Sequence, residues 1–118
     1  MAFDNLLLER DITPGAPGAG NGVAPGVVIV TIHRPKVLNA LDRQTLNELQ
    51  RVFLDLERDD SVRAIILTGA GDRSFVAGAD INELAVQTPV SARDHALAGQ
   101  QVFNLIENLG KPVIAAIN

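Results

Sequence analysis

The sequence has no cysteine, which excludes a disulfide framework, a thiolate nucleophile and a Cys-ligated zinc or iron–sulfur centre. Positive charge is scarce: 10 lysines and arginines stand against 14 acids, for a net charge of −4 and a pI near 5.0. A nucleic-acid partner asks for a basic face, so the balance speaks against one. No apolar run approaches the roughly 20 residues of a membrane span; the longest are Val27–Ile32 and Pro112–Ile117. The opening MAFDNLLLERD carries acids and only a three-leucine run, unlike a secretory signal or a transit peptide. These absences are compatible with a reducing, cytoplasmic setting without a membrane.

What is present is enough for one core and too little for two: 118 residues, 47% hydrophobic and 20% charged, with mean hydropathy +0.17. Such a chain folds rather than staying disordered. Half of the ten glycines and half of the six prolines fall in Thr13–Gly26. That stretch has no charge and almost no bulky side chain, so it cannot offset the entropy of ordering. It is expected to be a flexible loop between strands Leu6–Arg10 and Val27–His33. A phosphate cradle fails on spacing, because a third glycine after Gly18 and Gly20 would be needed at Val23.

Asp42 is placed to cap a helix from about Arg43 to Arg58, whose Leu46, Leu49, Val52, Phe53 and Leu56 form one stripe. The β-branched run Val62–Thr68 reads as a strand covered on both faces. Ser74–Ala77 reads as a short extended piece and Asp80–Val86 as one or two helical turns. A second helix is expected from about Ser91, with Asp94 at its third position, the stripe Ala98, Val102, Leu105, Ile106 and Leu109, and Gly110 just past its end. A last strand follows in Val113–Ile117. The alternation predicts an α/β fold with mostly parallel crossovers.

Gly69-Ala70-Gly71 lacks the third glycine of a dinucleotide fingerprint, since Ser74 stands there, and reads as a turn. Leu105 and Pro112 rule out a Walker motif at Gly110-Lys111. His33 and His95 have no third ligand at metal spacing, so no metal site is expected. Asp80 and Glu83 could face one pocket, but a cap with a first-turn carboxylate explains them equally well. Small residues Ala77, Gly78 and Ala79 before the Asp80 cap admit two readings. One is a tight packing turn. The other is an oxyanion hole, in which an N–H near a helix start stabilises developing negative charge.

Three blocks weigh on that choice: IHRPKVLNAL at 32–41, SFVAGADINEL at 74–84 and KPVIAAIN at 111–118. In this order and spacing they resemble the crotonase (enoyl-CoA hydratase/isomerase) superfamily, from about Leu6 to the last residue, with Thr13–Gly26 as an insertion. The resemblance implies the crotonase-like (ClpP/crotonase) spiral of ββα units and binding of acyl-CoA thioesters. It implies that the Ala79 N–H is one oxyanion donor, polarising the thioester carbonyl. It also implies that Ala77, Gly78, Asp80 and Ile81 line one wall for CoA, and Lys36 and Ala40 the other. Members often carry lysine where this sequence has Asn82, which bears on the CoA phosphates.

The family's second oxyanion donor and its two catalytic glutamates follow the third block, and Glu48, Glu57, Glu83 and Glu107 do not occupy those motif positions. The resemblance therefore identifies residues 1–118 as the N-terminal half of a domain. A shortened chain, a split protein, or scission at an Asn-Gly pair beginning with Asn118 would each account for this. The implied reaction is hydration of a 2-trans-enoyl-CoA in fatty-acid β-oxidation-type metabolism, with CoA entering as part of the substrate and no separate cofactor. Alternatives are isomerase, decarboxylase or hydrolase chemistry on the same fold, or a non-catalytic CoA-binding or assembly module. Implied partners are the acyl-CoA, the segment or chain carrying the other half, and further copies in a homotrimer or hexamer.

Overall fold

The computed structural model describes residues 3–10 and 25–118. The expected loop lies outside the described residues except for Pro25 and Gly26, which form a turn into the second strand. The elements are β1 (Leu6–Arg10), β2 (Val27–Ile32), a 3-10 turn (Pro35–Val37), α1 (Arg43–Arg58), β3 (Ala64–Gly69), α2 (Ile81–Leu84), α3 (Pro89–Glu107) and β4 (Val113–Ala116). They build a four-stranded sheet in the order β1-β2-β3-β4. β1 and β2 are antiparallel. β2–β3 and β3–β4 are parallel, with α1 and α3 as their crossovers.

Register explains where the core sits. Val28 pairs with Ile65, Val30 with Leu67 and Ile32 with Gly69, so the buried apolar side chains of both strands stand on one face. Onto that face α1 lays Leu46, Leu49, Val52, Phe53 and Leu56, and α3 adds Val102. Asp42 caps α1 as the sequence predicts, accepting from the Thr45 N–H at 2.8 Å.

Several local expectations need correction. β3 alternates between buried and half-buried residues, so it is fully covered on one face only, among the described residues. Its β-branched residues on both faces gave no sequence signal to tell these apart. α3 begins at Pro89 rather than near Ser91, and its cap is Thr88: the Ser91 N–H donates to Thr88 Oγ1 at 3.1 Å while the Thr88 N–H donates to Ser91 Oγ at 2.8 Å. That reciprocal pair satisfies the helix start without Asp94. At the other end Asn108 is the cap, with its side-chain amide donating to the Asn104 carbonyl at 2.8 Å. Gly110 lies two residues beyond this cap and is not left-handed. Ser74–Ala77 is not a strand; its backbone instead serves the site described next.

Candidate active site

Between β2 and α1 the chain turns back on itself. Pro35 starts the 3-10 turn, and Leu38 and Asn39 follow with φ of 54° and 60°. Such left-handed values are unusual outside glycine, with Asn among the residues that best tolerate them. Asn39 is 1% exposed and its amide is fully used. Its Oδ1 accepts from the Arg34 N–H at 3.0 Å, and its Nδ2 donates to the carbonyls of Ala70 at 3.0 Å and Ser74 at 2.9 Å. One side chain thus ties the 34–41 segment to the loop after β3. That loop folds over the strand end because Gly69 has no side chain: a Cβ there would sit 2.2 Å from the Phe75 carbonyl oxygen.

The two segments then pair. The Ala77 N–H donates to Leu38 O at 3.2 Å, the Leu41 N–H to Gly78 O at 2.8 Å and the Asp80 N–H to Leu41 O at 2.9 Å. This is a parallel bridge between Leu41 and Ala79. Its geometry dictates the direction of the group that matters. In a trans peptide the C=O and the N–H point oppositely, and no peptide among the described residues is cis. The Gly78 carbonyl points at Leu41, so the Ala79 N–H on the same peptide points away from it. Gly78 adopts φ +114°, a value open to glycine and rarely to other residues. Among the described residues the Ala79 N–H has no hydrogen-bond acceptor.

Gly78 and Ala79 also line a pocket of about 390 Å³, within the range of small-molecule sites. One wall is Val76, Gly78 and Ala79; Leu41 and Leu46 form the floor; the other wall is the α3 face bearing His95, Gly99 and Phe103. The lining is predominantly apolar.

Asp80 starts α2, with Oδ1 accepting from the Asn82 N–H at 2.9 Å and Oδ2 from the Arg34 guanidinium at 3.1 Å. The Asn82 N–H first, and then Arg34, hold its carboxyl below the usual carboxylate range. It is an ionised cap, not an acid donor. Glu83 does not join it; both its oxygens take the Arg43 N–H at the start of α1, at 3.0 Å each. His95 Nδ1 lies 3.7 Å from Glu83 Oε2. Among the described residues no three potential ligands cluster for a metal.

The structure gathers Ala77, Gly78, Ala79, Asp80, Ile81 and Asn82 into one turn, with Asp80 buried and the others exposed. Ala40 is buried beside it, and its carbonyl accepts from Arg34 at 2.6 Å. Lys36 is exposed on the 3-10 turn. Two contributions escaped the sequence reading. One is the hub formed by Arg34 and Asn39, for which a lone arginine and asparagine in a turn give no signal. The other is the second face of α3, whose signal was present in the helical spacing of Ala96, Gly99 and Phe103.

The site is thus an apolar pocket at the edge of an α/β layer, with the Ala79 N–H, unpaired among the described residues, on a residue of its lining. The chain belongs to the enoyl-CoA hydratase/isomerase family, whose model matches residues 22–118. It is 51% identical over all its residues to the short-chain-enoyl-CoA hydratase of Clostridium acetobutylicum and 39% identical to the crotonyl-CoA hydratase of Syntrophomonas wolfei. It spans about 40% of the length of each of these relatives. The crystal structure of an enoyl-CoA hydratase from Bacillus anthracis superimposes with a TM-score of 0.85 at 30% identity, over 98% of this chain and 40% of that one. The fold is thus the crotonase-type α/β fold, of which this chain makes the N-terminal part.

Proposed function

We propose that the chain forms the N-terminal part of an enoyl-CoA hydratase that adds water across a 2-trans-enoyl-CoA. The observation that carries the reading is the Ala79 N–H, turned by the Leu41 bridge away from its neighbours at the edge of an apolar pocket. As the water oxygen bonds to the β-carbon, the π electrons shift toward the thioester oxygen, and the α-carbon then takes a proton. The Ala79 N–H donates to that oxygen while its negative charge develops. Where an oxyanion-hole donor has been removed from another enzyme, the loss is roughly 2.7–4 kcal/mol of transition-state stabilisation.

In this reading the acyl group enters the pocket between Ala79 and α3. The CoA portion runs along Ala77, Gly78, Asp80, Ile81 and Asn82 on one side and Lys36 and Ala40 on the other. No cofactor is required, because CoA arrives with the substrate. The carboxylates that hold the water come from the rest of the protein, on the same or a second chain. Three of the five glutamates present here are taken up by backbone N–H groups. Glu48 accepts from the Asp4 and Asn5 N–H groups, Glu83 from the Arg43 N–H and Glu57 from the Gly110 N–H. A homotrimer or hexamer in the cytoplasm completes the proposal.

The similarity to the crotonyl-CoA hydratase of Syntrophomonas wolfei makes crotonyl-CoA the substrate to test. The whole protein is expected to hydrate it, read as loss of the enoyl-thioester absorbance. Absence of hydration with both carboxylates present would overturn the reading, and double-bond migration without hydration would move it to an isomerase.

A further inference from the structure

We propose that Arg34 is a positioning residue for the oxyanion donor: its guanidinium locks the Leu41–Ala79 bridge from both sides and thereby fixes where the Ala79 N–H points. The inference rests on the oxyanion reading of Ala79 and adds a device to it. Nη1 donates to the Ala40 carbonyl at 2.6 Å and lies 3.1 Å from Asp80 Oδ2, and Nη2 lies 3.1 Å from Asp42 Oδ2. Ala40 and Asp42 flank Leu41 in the chain, and Asp80 follows Ala79. One planar group therefore grips both partners of the bridge.

The grip is sheltered, with the Arg34 side chain 17% exposed and that of Asp80 9%. Arg34 is itself held at the backbone, where Asn39 Oδ1 accepts from its N–H and its carbonyl accepts from the Asn39 N–H at 2.9 Å. Asp42 and Asp80 already cap α1 and α2 through the Thr45 and Asn82 N–H groups, so both helix starts form without the arginine. What Arg34 adds is their mutual placement across the bridge. Three acceptors in a fixed fork suit a guanidinium and exceed what an ammonium can match in the same geometry. Arg34 belongs to none of the sheet–helix core, so its loss loosens the 77–80 turn without emptying that core.

The test uses the whole protein with Arg34→Met, Arg34→Lys and Asp80→Asn, the last keeping a side-chain cap while removing the ion pair. Two readouts are taken beside the unfolding midpoint. The first is kcat and KM for crotonyl-CoA. The second is the red shift in ultraviolet absorption of a bound dienoyl-CoA, which grows with polarisation of its carbonyl. For Arg34→Met kcat is expected to fall about 10–100-fold, a part of the 10²–10³ that loss of a whole donor costs. KM should stay within about threefold, the red shift should shrink, and Arg34→Lys and Asp80→Asn should fall between. Folded variants with native kcat and native red shift, or a loss confined to KM, would overturn the proposal. If Arg34→Met does not fold, the other two variants decide by the same criteria. If the native protein binds dienoyl-CoA with a red shift yet fails to hydrate crotonyl-CoA, the hydratase reading fails, while the shift in the variants still judges Arg34.

Discussion

Asn39 does three jobs. Its left-handed backbone turns the chain, its oxygen holds the Arg34 N–H, and its nitrogen closes two carbonyls of the loop after β3. Replacing it with alanine leaves the Arg34 N–H and the Ala70 carbonyl without partners in a half-buried place, the Ser74 carbonyl keeping Asn118 Nδ2 at 3.2 Å, and puts a less tolerant residue at φ 60°. Unsatisfied buried groups cost about 1–3 kcal/mol each, and relaxation recovers part of the sum. Asn39→Ala is therefore expected to lower stability by about 2–4 kcal/mol, read as a lower denaturant midpoint. A change under about 0.5 kcal/mol, the size of an ordinary surface substitution, would contradict the role. At this scale the sequence was only partly legible. Small residues at 77–79 and the Asp80 cap stood out because their chemistry is local. Arg34 and Asn39 work through contacts 31–46 residues away, and nothing in their neighbours announces this.

At the scale of elements, α1 was legible to its boundaries, because an N-cap and a five-residue apolar stripe agree. α3 was not legible at its ends, because Thr88 and Asn108 cap as effectively as the more conspicuous Asp94 and Gly110. The exit of α1 shows how elements are tied together. The Asp59 carboxylate accepts from the Ser61 hydroxyl at 2.6 Å and from Arg10 at the end of β1 at 3.0 Å, while its carbonyl accepts from Lys111 Nζ at 2.6 Å. The Ser61 hydroxyl first, and then Arg10, lower the Asp59 carboxyl from 3.8 to about 2. A carboxyl lowered on folding contributes stability that is fully present above its unfolded value and is lost as pH falls through the folded one. The stability gap between the native protein and Asp59→Asn is accordingly expected to be constant above roughly pH 5 and to close between pH 3.8 and about 2. A gap that does not change over this window, measured by denaturation across pH, would contradict the contact.

For the molecule as a whole, the α/β alternation and its parallel crossovers were legible because hydrophobic period and strand–helix order are chain-local signals. The pairing of 38–41 with 77–80 was not, since it joins two irregular segments. That pairing is what converts a sheet edge into a site: the sheet and α1 carry the Leu41 backbone, Leu41 orients the Gly78–Ala79 peptide, and α3 supplies the opposite wall of the pocket. The small residues at 77–79 before the Asp80 cap left a packing turn and an oxyanion hole both open, and the resemblance of three short blocks weighed toward the second. The most direct measurement is a crystal structure of the whole protein with butyryl-CoA, the saturated and unreactive counterpart of the proposed substrate. The account predicts the thioester oxygen about 2.7–3.1 Å from the Ala79 nitrogen, with the acyl chain between Ala79 and Phe103. A thioester bound elsewhere, or one whose oxygen turns away from Ala79, would contradict it.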